Sequence, residues 1–283
     1  MIVESKVQLL KKDESNVIKI LLISLALIFL FVFLLIPLFT VFHEAFHQGV
    51  NFYLASISTP ETWSAIKLSI IASFIALLLN VTFGISISWA LTKHNFKGKF
   101  IFVTLLDLPF TISPVISGMM FVLLFGVNSF LGKFFNLLDI QIIFAVPGIV
   151  IATTFVTFPY IARELISQMQ ELGSDEEEAA RLMGASGWKI FYKITFPNIK
   201  WSLFYGIILC TARSLGEFGA VSVVSGHIRG FTNTIPLHIE ILYNEYNFTA
   251  AFAVASLLTF LALLTLIFKN LIEWNARKRS SSN

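Results

Sequence analysis

The sequence predicts an all-α fold, a polytopic membrane helix bundle with six transmembrane helices and a cytosolic helical loop. Three observations carry this: the apolar composition, apolar runs of bilayer length, and basic residues gathered in alternate connections. Of the 283 residues, 56% are hydrophobic and 13% charged, where an ordinary soluble domain has about 25% charged residues. Mean hydropathy is +0.81, and no single soluble core hides that much apolar surface. The net charge of +3 is small and unevenly placed, which bears on membrane orientation and not on nucleic acid. The one cysteine, Cys210, lies in an apolar run; it excludes an intrachain disulfide framework and reads as a small buried side chain.

A helix crossing a bilayer needs about 20 apolar residues. Runs of that kind fall at Ile18 to Val41, Ala65 to Leu91, Phe100 to Phe125, Ile142 to Ile161, Trp201 to Val224 and Phe248 to Phe268. The first is too long for a secretory h-region and has no small-residue cleavage site after it, so it reads as a retained helix. Lys6, Lys11, Lys12 and Lys19 precede the first run, and Lys93, Lys97 and Lys99 separate the second from the third. Arg163, Arg181, Lys189, Lys193 and Lys200 lie between the fourth and fifth, and Lys269, Arg277, Lys278 and Arg279 follow the sixth. The opposite connections hold only Lys133 and Arg229. Basic residues stay on the cytosolic side, so both termini are expected there. The expected organisation is a cytosolic tail at 1–17, a membrane domain at 18–268 and a second cytosolic tail at 269–283, with no internal repeat and no separate soluble domain.

The connection at about 163–200 is long for a chain of minimal loops, and it reads as helix, turn, helix. Ser174 is the expected N-cap, with Glu177 completing a capping box and Asp175, Glu176 and Glu178 at the positive end of the helix dipole. Gly184 and Gly187 permit a sharp turn. A second helix from Trp188 to Ile194 is expected to end before Pro197. Leu182, Met183, Trp188, Phe191 and Tyr192 leave the pair an apolar face suited to a groove in another protein.

The spacing Glu178-Ala179-Ala180, Gly184-Ala185, Ile194 and Phe196-Pro197 resembles the EAA loop of ABC importer permeases, departing only in Phe196 where that family usually has leucine. The resemblance implies that Glu178, Ala179, Ala180, Gly184, Ala185, Ile194 and Pro197 couple the chain to a cytosolic ATPase.

The fifth run carries Ala212-Arg213-Ser214-Leu215-Gly216-Glu217-Phe218-Gly219-Ala220, two opposite charges and two glycines at membrane depth. Arg213 and Glu217 share a helical face and can neutralise each other. Gly216 and Gly219 allow close helix approach, or unwinding that frees N–H groups for an anion. Two roles stay open: a buried pair that fixes helix packing, or a pathway and gate built from Arg213, Ser214, Gly216, Glu217 and Gly219. The third run holds Asp107, Pro109, Ser113, Pro114 and Gly118. Its prolines are expected to kink the helix and line the path with Ser113, and Asp107 is expected to be paired or near the cytosolic end.

One contrary motif is present. His43-Glu44-Ala45-Phe46-His47 satisfies HExxH, the pattern of a zinc metalloprotease, with Asp107, His227 and His238 available as a third ligand. It sits where the first run leaves the membrane, and the expected reading is two interfacial histidines with no metal.

From the first run onward the chain resembles the W-type permease of bacterial sulfate and thiosulfate importers, most clearly in ARSLGEFGAVSVVSGHIRG and TIPLHIEILYNEYN, and also in Leu105 to Pro114 and Phe155 to Glu164. That resemblance implies a heterodimer with a second, T-type permease, two cytosolic ATPase subunits and an external sulfate-binding protein, within a lipid bilayer. Molybdate and tungstate importers share the architecture. The sequence has no P-loop GxxxxGK[ST], so this chain is read as a non-catalytic transport subunit without a cofactor of its own, ATP and Mg being used by the partner. A Phe- and Ile-rich composition suits an AT-rich bacterial or plastid genome equally well, so the expected location is the bacterial inner membrane or, if the chain is organelle-encoded, the plastid envelope.

Overall fold

A computed structural model describes the backbone of residues 16–280 and the side chains of 18–270. The N-terminal tail with Lys6, Lys11 and Lys12, and the side chains of Arg277, Lys278 and Arg279, lie outside the described residues. With no water to satisfy them, backbone groups in apolar runs bond to one another, and the described residues form helices without a strand.

The first run is α1 (Asn16–Leu30) and α2 (Ile36–Ala45), joined by a π turn at Phe31–Leu35. Pro37 follows that turn. Its ring needs room against the carbonyl four residues back, and the wider π turn provides it. A short α3 (Val50–Ile57) leads to α4 (Pro60–Lys93). Thr59 caps α4 by accepting the Thr62 N–H at 3.3 Å, with Pro60 in the first turn.

The third run is broken where a kink was expected. α5 (Lys99–Thr111) and α6 (Pro114–Phe125) meet at 110°. Pro114 excludes a helical Ser113, whose ψ is 134°, so the chain turns at 112–113 and restarts at the proline. Pro109 is buried inside α5. A short α7 (Phe130–Asn136) precedes α8 (Val146–Leu172), which continues past Ile161 through Arg163. Then come α9 (Asp175–Leu182), α10 (Gly187–Ile190), a second π turn at Phe191–Thr195, and α11 (Phe196–Leu215). The helix expected to end before Pro197 instead runs through it, because the π turn relieves the proline as it does at Pro37. The fifth run breaks between α11 and α12 (Gly219–Ser225) by 53°. The chain closes with α13 (Ile235–Asn244) and α14 (Phe248–Ser280). Four described helical segments are long and apolar enough to cross a membrane, and six if each bent pair counts as one span.

The core forms around α8. Ile149 and Val150 pack with Leu68 and Ala72 of α4, Val221 of α12 and Leu237 of α13. Further along, Ile161, Leu165 and Met169 meet Ile199, Leu203 and Cys210 of α11, and Ala162 meets Leu91 and Leu106. Asn80 joins α4 to this axis, donating to Thr157 at 2.7 Å and to the Cys210 sulfur at 3.5 Å. Near the start of α4, Thr62 lies 3.0 Å from His238 Nε2 and Ser69 accepts the Ile235 N–H at 2.8 Å, fastening α13.

The two broken runs cross on glycines. A Cβ at Gly118 would stand 2.7 Å from the Ala220 carbonyl oxygen, and one at Gly219 would stand 2.9 Å from Pro114 Cβ. Gly118→Val is therefore expected to cost about 1–3 kcal/mol through overpacking. A lowered thermal unfolding midpoint in detergent would show it, and an unchanged midpoint would refute the close crossing.

Candidate functional site

The α9–α10 hairpin is assembled from a helix end, a left-handed turn and a π-widened helix start. Gly184 has φ +82°, a conformation that leaves glycine free of strain. The Gly184 N–H donates to the Arg181 carbonyl and the Ala185 N–H to the Ala180 carbonyl, each at 3.0 Å, which closes α9 in a Schellman motif. At the tip, Leu182, Met183 and Trp188 are 91%, 83% and 75% exposed. Glu178, Ala179 and Gly184 are exposed as well, whereas Ala180 is buried and Ala185, Ile194 and Pro197 are half-buried. The motif is thus divided between a protruding surface and a base that packs on the bundle.

The base is held by acidic residues, though not in the expected capping box. The Ser174 hydroxyl donates to Glu178 at 2.6 Å, and Glu177 turns away to the Lys93 ammonium at 3.2 Å and the Thr195 hydroxyl at 2.7 Å. Lys93 also donates to the Gly173 carbonyl at 2.6 Å, and Asn198 donates to Glu176 at 2.8 Å. The Lys93 and Glu177 side chains are only 11% and 14% exposed, so this pair is less screened than a surface one. Lys93 closes α4, and its link to Glu177 is a tertiary contact that neither residue's neighbours in the chain announce.

At the second break Glu217 is buried. One carboxylate oxygen lies 2.6 Å from Arg213, and the other accepts the Ala220 N–H at 2.9 Å. The carboxylate therefore neutralises a membrane-depth arginine and satisfies a backbone donor at the start of α12. Ser214 is buried and bonds within its own helix, to the Thr211 carbonyl at 2.9 Å. Gly216 is the residue at which α11 stops. Gly219 and Pro114 are in contact, so the breaks of the third and fifth runs lie against each other. Ser113 is exposed, while Pro109 is buried within α5.

Asp107 is paired. Arg163 of α8 donates to it from Nε at 2.7 Å, with a second contact from Nη2. Arg163, counted above with a cytosolic connection, thus lies inside a helix. The histidines of HExxH do not form a ligand set. α2 ends at Ala45, the His43 and His47 rings are 6.3 Å apart at their centroids, and Glu44 lies 3.4 Å from His43. Among the described residues no three His, Cys, Asp or Glu side chains gather as a metal site would require.

Residues 80–280 match the family model described as binding-protein-dependent transport system inner membrane component. The chain belongs to that family. It is 48% identical over 256 residues to the sulfate transport system permease protein CysW of Synechocystis sp., covering 90% of this chain and 93% of that one. Against the protein of the same name from Escherichia coli it is 45% identical, covering 87% and 86%. Sulfate permease 2, chloroplastic, of Chlamydomonas reinhardtii is 43% identical, covering 96% and 73%. Among solved structures, a chain of the bacterial alginate ABC transporter in complex with an alginate pentasaccharide-bound periplasmic protein superposes with a TM-score of 0.77 at 17% identity, covering 93% of this chain and 96% of that one. At that identity the likeness shows the fold alone. This family member is a multi-pass membrane permease.

Two outcomes follow from the geometry. Lys93→Ala should leave the bundle folded and speed amide hydrogen exchange across Asp175–Leu182, because the hairpin loses its brace; unchanged exchange would refute the bracing role. Glu217→Gln should lower the unfolding midpoint by the equivalent of about 1–3 kcal/mol, since Arg213 loses its counter-charge at membrane depth. A midpoint equal to that of the parent would remove the pair from the packing of the break.

Proposed function

We infer that the chain is the W-type permease subunit of an ATP-driven importer that carries sulfate or thiosulfate across the membrane. In this reading it pairs with a T-type permease, two cytosolic ATPase subunits and an external sulfate-binding protein. The observation that carries the reading is the α9–α10 hairpin, a tip with three large apolar side chains in the open on a base fixed by Lys93, Glu177 and Thr195. An exposed apolar tip calls for a groove, and a braced base transmits force. Relatives named as sulfate permeases favour sulfate over molybdate or tungstate.

Closure of the two ATPases would move the hairpins of both permeases, and α8 and α11, which continue directly from the hairpin's base, would carry that motion to the helix breaks. Arg213, Ser214 and the segment Gly216–Gly219, lying against Pro114, would form the gate, with Ser113 and Pro109 beside it. Glu178, Ala179, Ala180, Gly184, Ala185, Ile194 and Pro197 would form the coupling element. ATP and Mg belong to the partner, and this chain supplies no catalytic group. The location is the bacterial plasma membrane with both termini cytosolic; the chloroplastic relative supports the plastid envelope as a second location.

The test is uptake of radiolabelled sulfate by cells that lack their own sulfate permeases and express this chain with its partner subunits. Sulfate should accumulate, and thiosulfate should compete more strongly than molybdate. Uptake of molybdate without sulfate would refute the assignment. Gly184→Val, which imposes about 1–2 kcal/mol of left-handed strain on a β-branched residue, should abolish uptake and weaken ATPase co-purification while the permease still inserts. Normal uptake with intact ATPase association would remove the coupling role.

A further inference from the structure

Neither the docking hairpin nor the helix break accounts for one polar stripe on α8. Tyr160, Arg163, Ser167 and Gln170 recur at three- and four-residue spacing and share a face. The last three are exposed and Tyr160 is half-buried. The stripe lies in a groove with a wall on each side. On one side α5 is fixed by the Asp107–Arg163 pair and by Leu106 against Ala162. On the other, α11 comes close at Gly206, where a Cβ would be 3.1 Å from Ile161 Cα, and is tied by the Ser202–Gln168 hydrogen bond at 2.9 Å.

Lipid tails do not solvate such a stripe, and an arginine in a spanning helix is retained where it faces water or protein. Arg163 is paired yet open: its side chain is 55% exposed and that of Asp107 is 28% exposed. The guanidinium sits 5.9 Å from the Phe110 ring centre, and Phe110 packs edge-on against Tyr160. One face of the guanidinium is held by aromatic contact and a carboxylate, and the rest is accessible. At the hairpin end, Gln170 also lines a cavity of about 400 Å³ together with Lys93, Arg181, Glu177 and Glu178, a lining of mixed charge in which Lys93 is paired with Glu177.

We propose that Arg163, with Asp107 as its resident counter-ion, is an inner anion station in this groove, where a tetrahedral oxyanion displaces Asp107 before leaving at the hairpin end. The proposal rests on the oxyanion-importer reading above. A guanidinium fork fits sulfate oxygens as it fits carboxylate oxygens, so the incoming anion and Asp107 compete for one geometry. When the site is empty, Asp107 compensates the charge of Arg163. When the anion is present, the repulsion of Asp107 keeps it from being held tightly. Asn80 reaches both Thr157 and Cys210, which sets those residues at one level of the antiparallel α8 and α11. At about 1.5 Å per residue, Arg163 then lies roughly 14 Å from Arg213 along the bundle, a second basic station below the first.

The test uses the assembled transporter in inside-out vesicles, with Ser167→Cys or Gln170→Cys as the label site. Cys210 is buried, so the parent serves as the unlabelled control. A membrane-impermeant, charged methanethiosulfonate reagent should modify both positions, and sulfate should slow the reaction. Failure to label, as for a stripe covered by lipid or by the second permease, overturns the groove. Labelling that no oxyanion slows overturns the station, leaving only a wet surface. Protection by molybdate in place of sulfate supports the station and refutes the sulfate assignment. In uptake, Arg163→Gln should reduce transport about tenfold or more, with Arg163→Lys partly restoring it. Asp107→Asn should lower both KM and the maximal rate by freeing Arg163 to hold the anion. Equal losses in Arg163→Gln and Asp107→Asn, with KM unchanged and the unfolding midpoint lowered in both, would make the pair structural and overturn the proposal.

Discussion

Inside a bilayer no water stands ready to replace a lost backbone hydrogen bond, and an unsatisfied group there costs several kcal/mol. Helices can therefore break only where protein groups complete the bonding. In this chain the break after α11 meets that condition through Glu217, which accepts the Ala220 N–H with one oxygen and holds Arg213 with the other. The break before α6 uses a proline start, which has no N–H to satisfy, and the two breaks lock together where Gly219 meets Pro114 and Gly118 meets Ala220. A charged pair, a proline and two glycines thus serve a single requirement.

The same condition shapes the rest of the bundle. Pro37 and Pro197 both follow a five-residue π turn, so that each helix widens ahead of the proline and continues through it. At the second of these turns the continuity has a mechanical consequence. α10, the π turn and α11 carry the chain from the exposed Trp188 to the break at Gly216 with no intervening loop, and Thr195 within the π turn bonds to Glu177 of α9. Displacement of the hairpin tip would reach the break through one helix.

Much of this was legible in the chain. Long apolar runs need no distant partner to declare themselves, and each of the six runs is helical. The turn at Gly184 and the pairing of Arg213 with Glu217 depend on residues close in sequence, where spacing alone brings groups together. Three readings changed, one through distant contacts and two through backbone geometry at prolines. Glu177 left its expected capping partner for Lys93 and Thr195, the helix expected to stop at Pro197 continued, and the expected kink in the third run became a 110° turn. A charged side chain can bond within its own turn or to another helix, and packing chooses between them. The Asp107–Arg163 pair shows this as well, because Arg163 looked like part of a loop until α8 extended past it.

By itself the sequence determined that the chain lives in a membrane, where its apolar runs begin and end, and which short motifs interrupt them, because hydropathy, helical spacing and the backbone limits of proline and glycine are local. Only the tertiary structure decided which interruptions touch, which carboxylate partners which cation, and which polar face of α8 stays open between α5 and α11. Those depend on how helices far apart in the chain are set against one another, and local propensity does not contain that information.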